Sequence, residues 1–245
     1  MTDALSLLSD DCEYRRPAPG VDRTVSFRPV ELPRDLDRLH AWLTSEHVRP
    51  YWEMGAPLPA FRRALSERLD DDHVTPYVGR VDGVPMSYFE RYWAAEDPLA
   101  DHYNARDGDQ GIHLLIGPEP YLGRGYGTAL LRAMTDLAFR HPGTDRVVAE
   151  PDARNDAAIR AFERVGFRPR GEFRFPHEGK DATLLVCERA RFERAFSPGA
   201  LAAERAAEGA GDPGDADGAD DADDAGDAEA ATDRDGDADP AGVER

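Results

Sequence analysis

The segment Leu122-Gly123-Arg124-Gly125-Tyr126-Gly127-Thr128 lies between a short apolar run, residues 111–117, and a stretch with helical spacing, residues 128–140. Glycine at alternate positions lets the backbone turn through conformations closed to other residues and come close to a ligand. The helix that follows points free N–H groups and the positive end of its dipole back into the turn. A strand, glycine turn and helix in this order predict an anion cradle within an α/β fold, suited to a pyrophosphate. It is not a Walker A loop, because no Gly-Lys-Ser/Thr ends it, and its glycine spacing is not that of a dinucleotide fingerprint.

The pattern around this unit alternates strands and helices. Residues 24–30 alternate as a strand, and Pro33 opens an amphipathic stretch to residue 45 with Leu36, Leu39 and Leu43 on one face. A second helical stretch covers residues 58–69, and strands at 74–80 and 85–93 flank the turn dipeptide Asp82-Gly83 as a hairpin. A strand at 146–150, a helix at 156–165 and strands at 167–175 and 183–187 follow. The order β-α-α-β-β-β-α-β-α-β-β predicts a mixed central sheet flanked by helices on both faces.

Composition sets the limits of that domain. Residues 199–245 are mostly Ala, Gly and Asp and hold 16 of the 49 acidic residues but 3 of the 30 basic ones, so they carry −13 of the formal −19 charge. Such a segment cannot offset the entropy of ordering and is expected to be a disordered acidic tail. Residues 1–23 are expected to be an N-terminal extension and 24–198 the folded domain. The body shows no Lys/Arg stripe, which argues against a nucleic-acid partner. Lys180 is the only lysine, a bias that fits either a high-salt host or a GC-rich genome. Cys12 and Cys187 lie far apart without metal-ligand spacing and are expected to be free thiols; no metal is expected. The first 20 residues lack the regions of a signal peptide, and no run is long enough to span a membrane, so a cytoplasmic location is expected.

Residues 122–127 resemble the acetyl-CoA loop of the GNAT acyltransferase superfamily, Gln/Arg-x-x-Gly-x-Gly/Ala, in their last four positions, with Leu122 in place of Gln/Arg. Residues 155–167, with Asn155 at a helix start and Gly166-Phe167 at its exit, resemble the superfamily's second motif. Trp42, residues 47–52, 88–93, 96–99, 109–117 and 150–155 are similar to the acyltransferases of hydroxamate siderophore pathways, the N6-hydroxylysine acetyltransferases and lysine N-acyltransferases. Aminoglycoside 6′-N-acetyltransferases share the glycine loop but carry Asp where this chain has His113. The resemblance implies a GNAT fold, acetyl-CoA or another acyl-CoA as co-substrate, and a small amine or hydroxylamine acceptor. It leaves an aminoglycoside or polyamine acetyltransferase, or a non-catalytic acyl-CoA-binding module, as alternatives, and suggests a siderophore synthetase as partner.

The same resemblance assigns site residues. Leu122, Gly123, Arg124, Gly125, Tyr126, Gly127, Thr128 and Asn155 would hold the CoA phosphates, and the backbones of Leu115 and Ile116 its pantetheine arm. His113 and Asp152 are carried over as the catalytic pair, with the division between acceptor binding and proton removal open. Trp52, Tyr88, Glu90, Tyr92 and Trp93 are expected to line the acceptor pocket, with Glu90 meeting an α-ammonium group. Phe162 stands where many relatives have a proton-donating Tyr, so water or another group serves, or CoA leaves as the thiolate, whose conjugate thiol has a pKa of only about 8.5. A lysine amine with pKa about 10.4 is neutral in about one molecule in 2,500 at pH 7, whereas N-hydroxylation lowers basicity and lets a weak base suffice.

Overall fold

The computed structural model describes residues 12–52 and 56–197. Strands β1 (Tyr14–Ala18), β2 (Arg23–Pro29), β3 (Val74–Val81), β4 (Val84–Trp93), β5 (Gln110–Ile116), β6 (Arg146–Ala149), β7 (Arg168–Phe175) and β8 (Lys180–Glu188) form one mixed sheet in the order β1-β2-β3-β4-β5-β6-β8-β7. Helices are α1 (Leu32–Leu43), α2 (Leu58–Leu69), α3 (Tyr126–Phe139), α4 (Asp156–Arg164) and α5 (Arg189–Ala195). The mixed sheet with flanking helices agrees with the sequence pattern. The expected acidic tail lies outside the described residues.

Alternation along the central strands feeds two cores. Phe27, Tyr77, Phe89, Ile112 and Val147 pack with Leu130, Leu131 and Met134 of α3 on one face. On the other, Val78, Tyr88 and Leu115 pack against Leu39, Trp42 and Leu43 of α1 and Phe61 and Leu65 of α2. Asp82 and Gly83 both have positive φ, 48° and 81°, the geometry a two-residue hairpin turn of type I′ requires.

Two elements lie outside the sequence pattern. β1 falls in the segment read as an extension, yet it pairs antiparallel with β2, from Tyr14↔Phe27 to Ala18↔Arg23. Tyr14 and Ala18 are buried while Arg15, Arg16 and Pro17 are exposed, so two buried anchors place an otherwise polar edge strand, and an edge tolerates proline. The folded unit therefore begins ahead of residue 24. α5 is held by Phe192, whose ring lies 5.3 Å from Phe139. Cys12 and Cys187 are both free thiols, and among the described residues no helix is long and apolar enough to cross a membrane.

β2 is tied to α1 by a buried ion pair. Arg28 donates to both carboxylate oxygens of Asp35, at 2.7 and 2.6 Å, and Asp35 also accepts from the Glu31 N–H at 3.0 Å and from Arg38 at 3.0 Å. Burial pushes the Asp35 carboxyl up, but these hydrogen bonds and charges outweigh it and hold it below its ordinary value. Removing one partner of such a pair strands a buried charge. Asp35→Ala should destabilise the protein by about 3–5 kcal/mol; a melting temperature unchanged within error would contradict this.

Candidate functional site

β5 and β6 run parallel but pair only at Gln110↔Val147 and Gly111↔Val148. Beyond that point a cleft of about 810 Å³ opens, with residues 113–116 on one wall and Ala149, Pro151 and Asp152 on the other. The same cleft reaches Leu122, Gly123, Gly125, Gly127, Thr128 and Asn155. The glycine turn and the fork between the strands therefore belong to one continuous site.

At the turn, Gly123 and Gly125 have φ of +71° and +78°, which side-chain-bearing residues rarely adopt, and a Cβ at Gly123 would meet nothing within 4 Å. Gly125 caps α3 without any side-chain hydrogen bond, and the first helical bond runs from the Ala129 N–H to the Gly125 carbonyl. The N–H groups of Tyr126, Gly127 and Thr128 thus lie in the turn that no carbonyl of the helix can reach. A backbone cradle for an anion is present. Arg124 is exposed and Tyr126 packs on Tyr121 at 6.0 Å; neither side chain lines the cleft. Leu115 and Ile116 do line it, and the Ile116 carbonyl accepts from the His47 imidazole at 2.9 Å. The Asn155 side chain caps α4 by accepting from the Ala158 N–H at 3.1 Å.

The other end of the cleft is built by strand register. Glu90 on β4 lies directly opposite His113 on β5, and Tyr92 lies opposite Gly111. A Cβ at Gly111 would fall 1.9 Å from the Tyr92 ring, so only glycine lets that ring lie flat there. His113 Nδ1 meets Glu90 Oε2 at 2.9 Å, and Nε2 meets Glu150 Oε1 on the far side. Both carboxylates are 1% exposed, while His113 is 19% exposed and lines the cleft. Tyr88 donates to Glu90 and Tyr92 to Glu150, each at 2.7 Å, and Arg68 donates to Glu90 at 3.0 and 3.2 Å.

These contacts set the charge states. Burial alone would drive His113 toward neutrality, but the Glu150 and Glu90 carboxylates raise its pKa well above 6.5. Burial would raise Glu90, yet hydrogen bonds and charge from His113 and Arg68 lower it to about 2, and Glu150 is likewise lowered against its burial, chiefly by His113. The triad is an imidazolium between two carboxylates, with both ring nitrogens donating.

Of the residues expected at the acceptor pocket, only some line the cleft. Trp52 lines the cleft, its ring 5.6 Å from Tyr88 and 6.0 Å from His113. Tyr88, Glu90 and Tyr92 are buried beneath His113, and Glu90, engaged by four side-chain hydrogen bonds, does not line the cleft. Trp93, one residue on, points to the opposite sheet face by strand alternation and packs 5.0 Å from His141. Asp152 lines the cleft but accepts from Arg154 rather than lying against His113: Arg154 Nε and Nη2 donate at 2.9 and 2.7 Å. Those bonds hold its carboxyl below its ordinary value.

Glu150, Glu178 and Lys180 are not among the site residues expected from the sequence. Ligand atoms of His113, Glu150 and Glu178 lie within 4.8 Å of one another, spacing a cation could share. His113 already bonds Glu150, and Glu178 bonds Lys180 at 2.6 Å, so side-chain charges satisfy these atoms. Phe162 also lines the cleft, its ring 4.9 Å from Phe167.

If the triad is as drawn, ring-nitrogen NMR at pH 7.5 should show His113 protonated at both positions, and Glu90→Gln should lower its pKa. A neutral His113 ring at that pH would contradict the arrangement.

Residues 31–175 match a family described as an acetyltransferase (GNAT) domain. The N(6)-hydroxylysine O-acetyltransferase of Escherichia coli is 35% identical over 180 residues, 73% of this chain; the chain spans 56% of that protein. The N-hydroxyputrescine acetyltransferase of Acinetobacter baumannii is 32% identical over 167 residues, 68% of this chain and 79% of that one. Among solved structures, aminoglycoside acetyltransferase AAC(6′)-Ib in complex with coenzyme A is similar with a TM-score of 0.65 at 31% identity, over 71% of this chain and 99% of that one.

Proposed function

Since the chain belongs to the GNAT acetyltransferase family, we propose that it transfers an acyl group from acetyl-CoA, or a related acyl-CoA, directly to the N6-hydroxylamine or amine of lysine or a related diamine, in cytoplasmic hydroxamate siderophore biosynthesis. The observation that carries this reading is the cleft between the parted strands β5 and β6, which ends in the glycine turn at α3. The CoA pyrophosphate would lie on the N–H groups of that turn, and the pantetheine arm would run along residues 113–116 as an added strand. The acyl carbon would then come to rest near His113 and Asp152.

In the proposed step the acceptor nitrogen attacks the thioester carbonyl, the C–S bond breaks, and the nitrogen's proton passes to the Asp152 carboxylate. Phe162 has no proton to give, so sulfur leaves as the thiolate and takes its proton from water or from Asp152. His113, whose two ring N–H groups are given to Glu90 and Glu150, would shape the acceptor end of the cleft rather than remove the proton. Arg154 holds Asp152 low, which makes it a weak base. A weak base suits a hydroxylamine nitrogen that is already neutral better than an alkylammonium group with pKa about 10.4. A siderophore synthetase would take the product.

The second reading is an aminoglycoside 6′-N-acetyltransferase, favoured by the likeness to AAC(6′)-Ib. It is set apart by His113, where those enzymes carry Asp in the motif comparison. Acetyl-CoA consumption across lysine, N6-hydroxylysine, N-hydroxydiamines and aminoglycosides tests the two; turnover confined to aminoglycosides would sink the first.

Gly125→Asp puts a side chain at φ +78° and a negative charge into the cradle. Calorimetric CoA affinity should fall by roughly tenfold or more, since one lost charge-assisted contact is worth that much; unchanged affinity would remove the turn from the reading. Asp152→Asn should keep CoA affinity within a few-fold and lower turnover by about 10²-fold, more for lysine than for N6-hydroxylysine. Wild-type turnover on both acceptors would end its assignment as the base.

A further inference from the structure

The single lysine of a chain with 30 basic residues stands in the cleft. Lys180 opens β8 with its side chain 13% exposed, pairs with Glu178 at 2.6 Å, and lies 5.7 Å from the centre of the Phe175 ring. A second pair of the same build sits beside it: Arg154, 77% exposed, pairs with Asp152 at 2.7 Å. In each pair the partners are two residues apart. The Ala153 N–H donates to the Asp181 carbonyl at 2.8 Å and the Thr183 N–H to the Pro151 carbonyl at 3.0 Å, with a bridge between Asp152 and Ala182. These bonds fasten the turn after β6 to the start of β8. The Glu178 carboxylate in turn reaches within 4.8 Å of the facing atoms of His113 and Glu150.

Short-range ion pairs at the wall of a cleft can exchange partners with a ligand, and an ammonium group does so from one compact point, whereas a guanidinium prefers a fixed fork. Every other Lys or Arg position in this chain is arginine, so the lysine marks a position where the compact head matters. The nearby carboxylates of Glu90 and Glu150 are held in the buried network around His113, whereas Glu178 and Lys180 are paired with each other and could exchange that one bond for bonds to a ligand.

We infer that Lys180 reads a carboxylate on the acceptor while Glu178 takes the ammonium group beside it, which makes α-amino acids the acceptor class. This rests on the acyl-transfer reading above. A diamine or an aminoglycoside presents only cations, so it could draw Glu178 away from Lys180 but would bring no carboxylate to take its place, leaving the ammonium group unpaired.

N6-hydroxylysine and N-hydroxycadaverine differ by the carboxylate alone. The unaltered protein should favour the first by about tenfold or more in kcat/KM, the scale of one charge-assisted hydrogen bond. Lys180→Gln should bring that ratio close to one through a higher KM for N6-hydroxylysine, and Lys180→Arg should retain part of it. Acetyl-CoA affinity checks that each variant is folded. A ratio near one in the unaltered protein overturns the inference and leaves acyl transfer to lysine-type acceptors standing, as does a ratio that Lys180→Gln leaves unchanged. Acetylation of aminoglycosides alone overturns both. Should Lys180→Gln not fold, the unaltered protein's ratio decides.

Discussion

β5 and β6 part after two residue pairs, and most of what is distinctive in this molecule follows from that. Backbone groups along a strand edge must be satisfied by something, and a parted pair offers them to whatever enters. The fork would be a weak point in the sheet if nothing bridged it. His113 does so with charge: it links Glu90 on β4 to Glu150 beyond β6 at the level where the ladder stops. Side-chain hydrogen bonds thus take over where backbone ones end. The cleft then stays open from His113 to the glycine turn.

Burying two carboxylates is costly unless each is paired and hydrogen-bonded. Here each carboxylate has His113 and a tyrosine hydroxyl, and Glu90 has Arg68 as well. The raised His113 pKa means that its contribution to stability is complete below the unfolded value near 6.5 and is lost as pH rises through the folded value. The lowered Glu90 pKa works in the other sense. Its contribution is present above the ordinary value of 4.5 and is lost as pH falls toward about 2. The triad is therefore intact throughout the neutral range. The network resists pH change instead of sensing it.

Much of this was legible in sequence wherever the signal was local. Residues 58–69 carry a helical repeat and form a helix over that span, and Asp82-Gly83 announces its hairpin because only a few residues accept two positive φ values in succession. The glycine turn is of the same kind. β1 was not legible, because its hold on the sheet is two buried residues in a polar pentapeptide. At the site, His113 could be placed on a face from alternation, but not its partners, which lie 23 and 37 residues away and are fixed by strand register. Nothing local in the sequence says that Arg68, Tyr88 and His113 claim Glu90, so an exposed role for its carboxylate is the natural expectation there. Trp93 is expected beside Tyr92 at the acceptor pocket as one more aromatic, yet adjacent strand residues face opposite ways and it packs on His141. Lys180 had a signal, its being the only lysine, but composition alone tied it to the host and not to the cleft.

The chemistry available at the His113 end of the cleft is modest, and under the proposed acyl transfer that would narrow what can be acylated there. The cleft wall offers a carboxylate that Arg154 keeps low on the pKa scale, an imidazolium with both nitrogens engaged, and a phenyl ring where a hydroxyl donor would stand. None of these readily takes a proton from an alkylammonium group or gives one to sulfur. A thiolate can leave unaided, since its conjugate acid has a pKa of only about 8.5. The nitrogen has no such freedom: it must arrive with its lone pair free. An acceptor whose nitrogen bears a hydroxyl group arrives that way at neutral pH, and a site with so little acid–base power is well matched to it. On the acyl-transfer reading proposed above, hydroxylation would precede acyl transfer, and the main task of the site would be to hold a neutral nucleophile against a thioester.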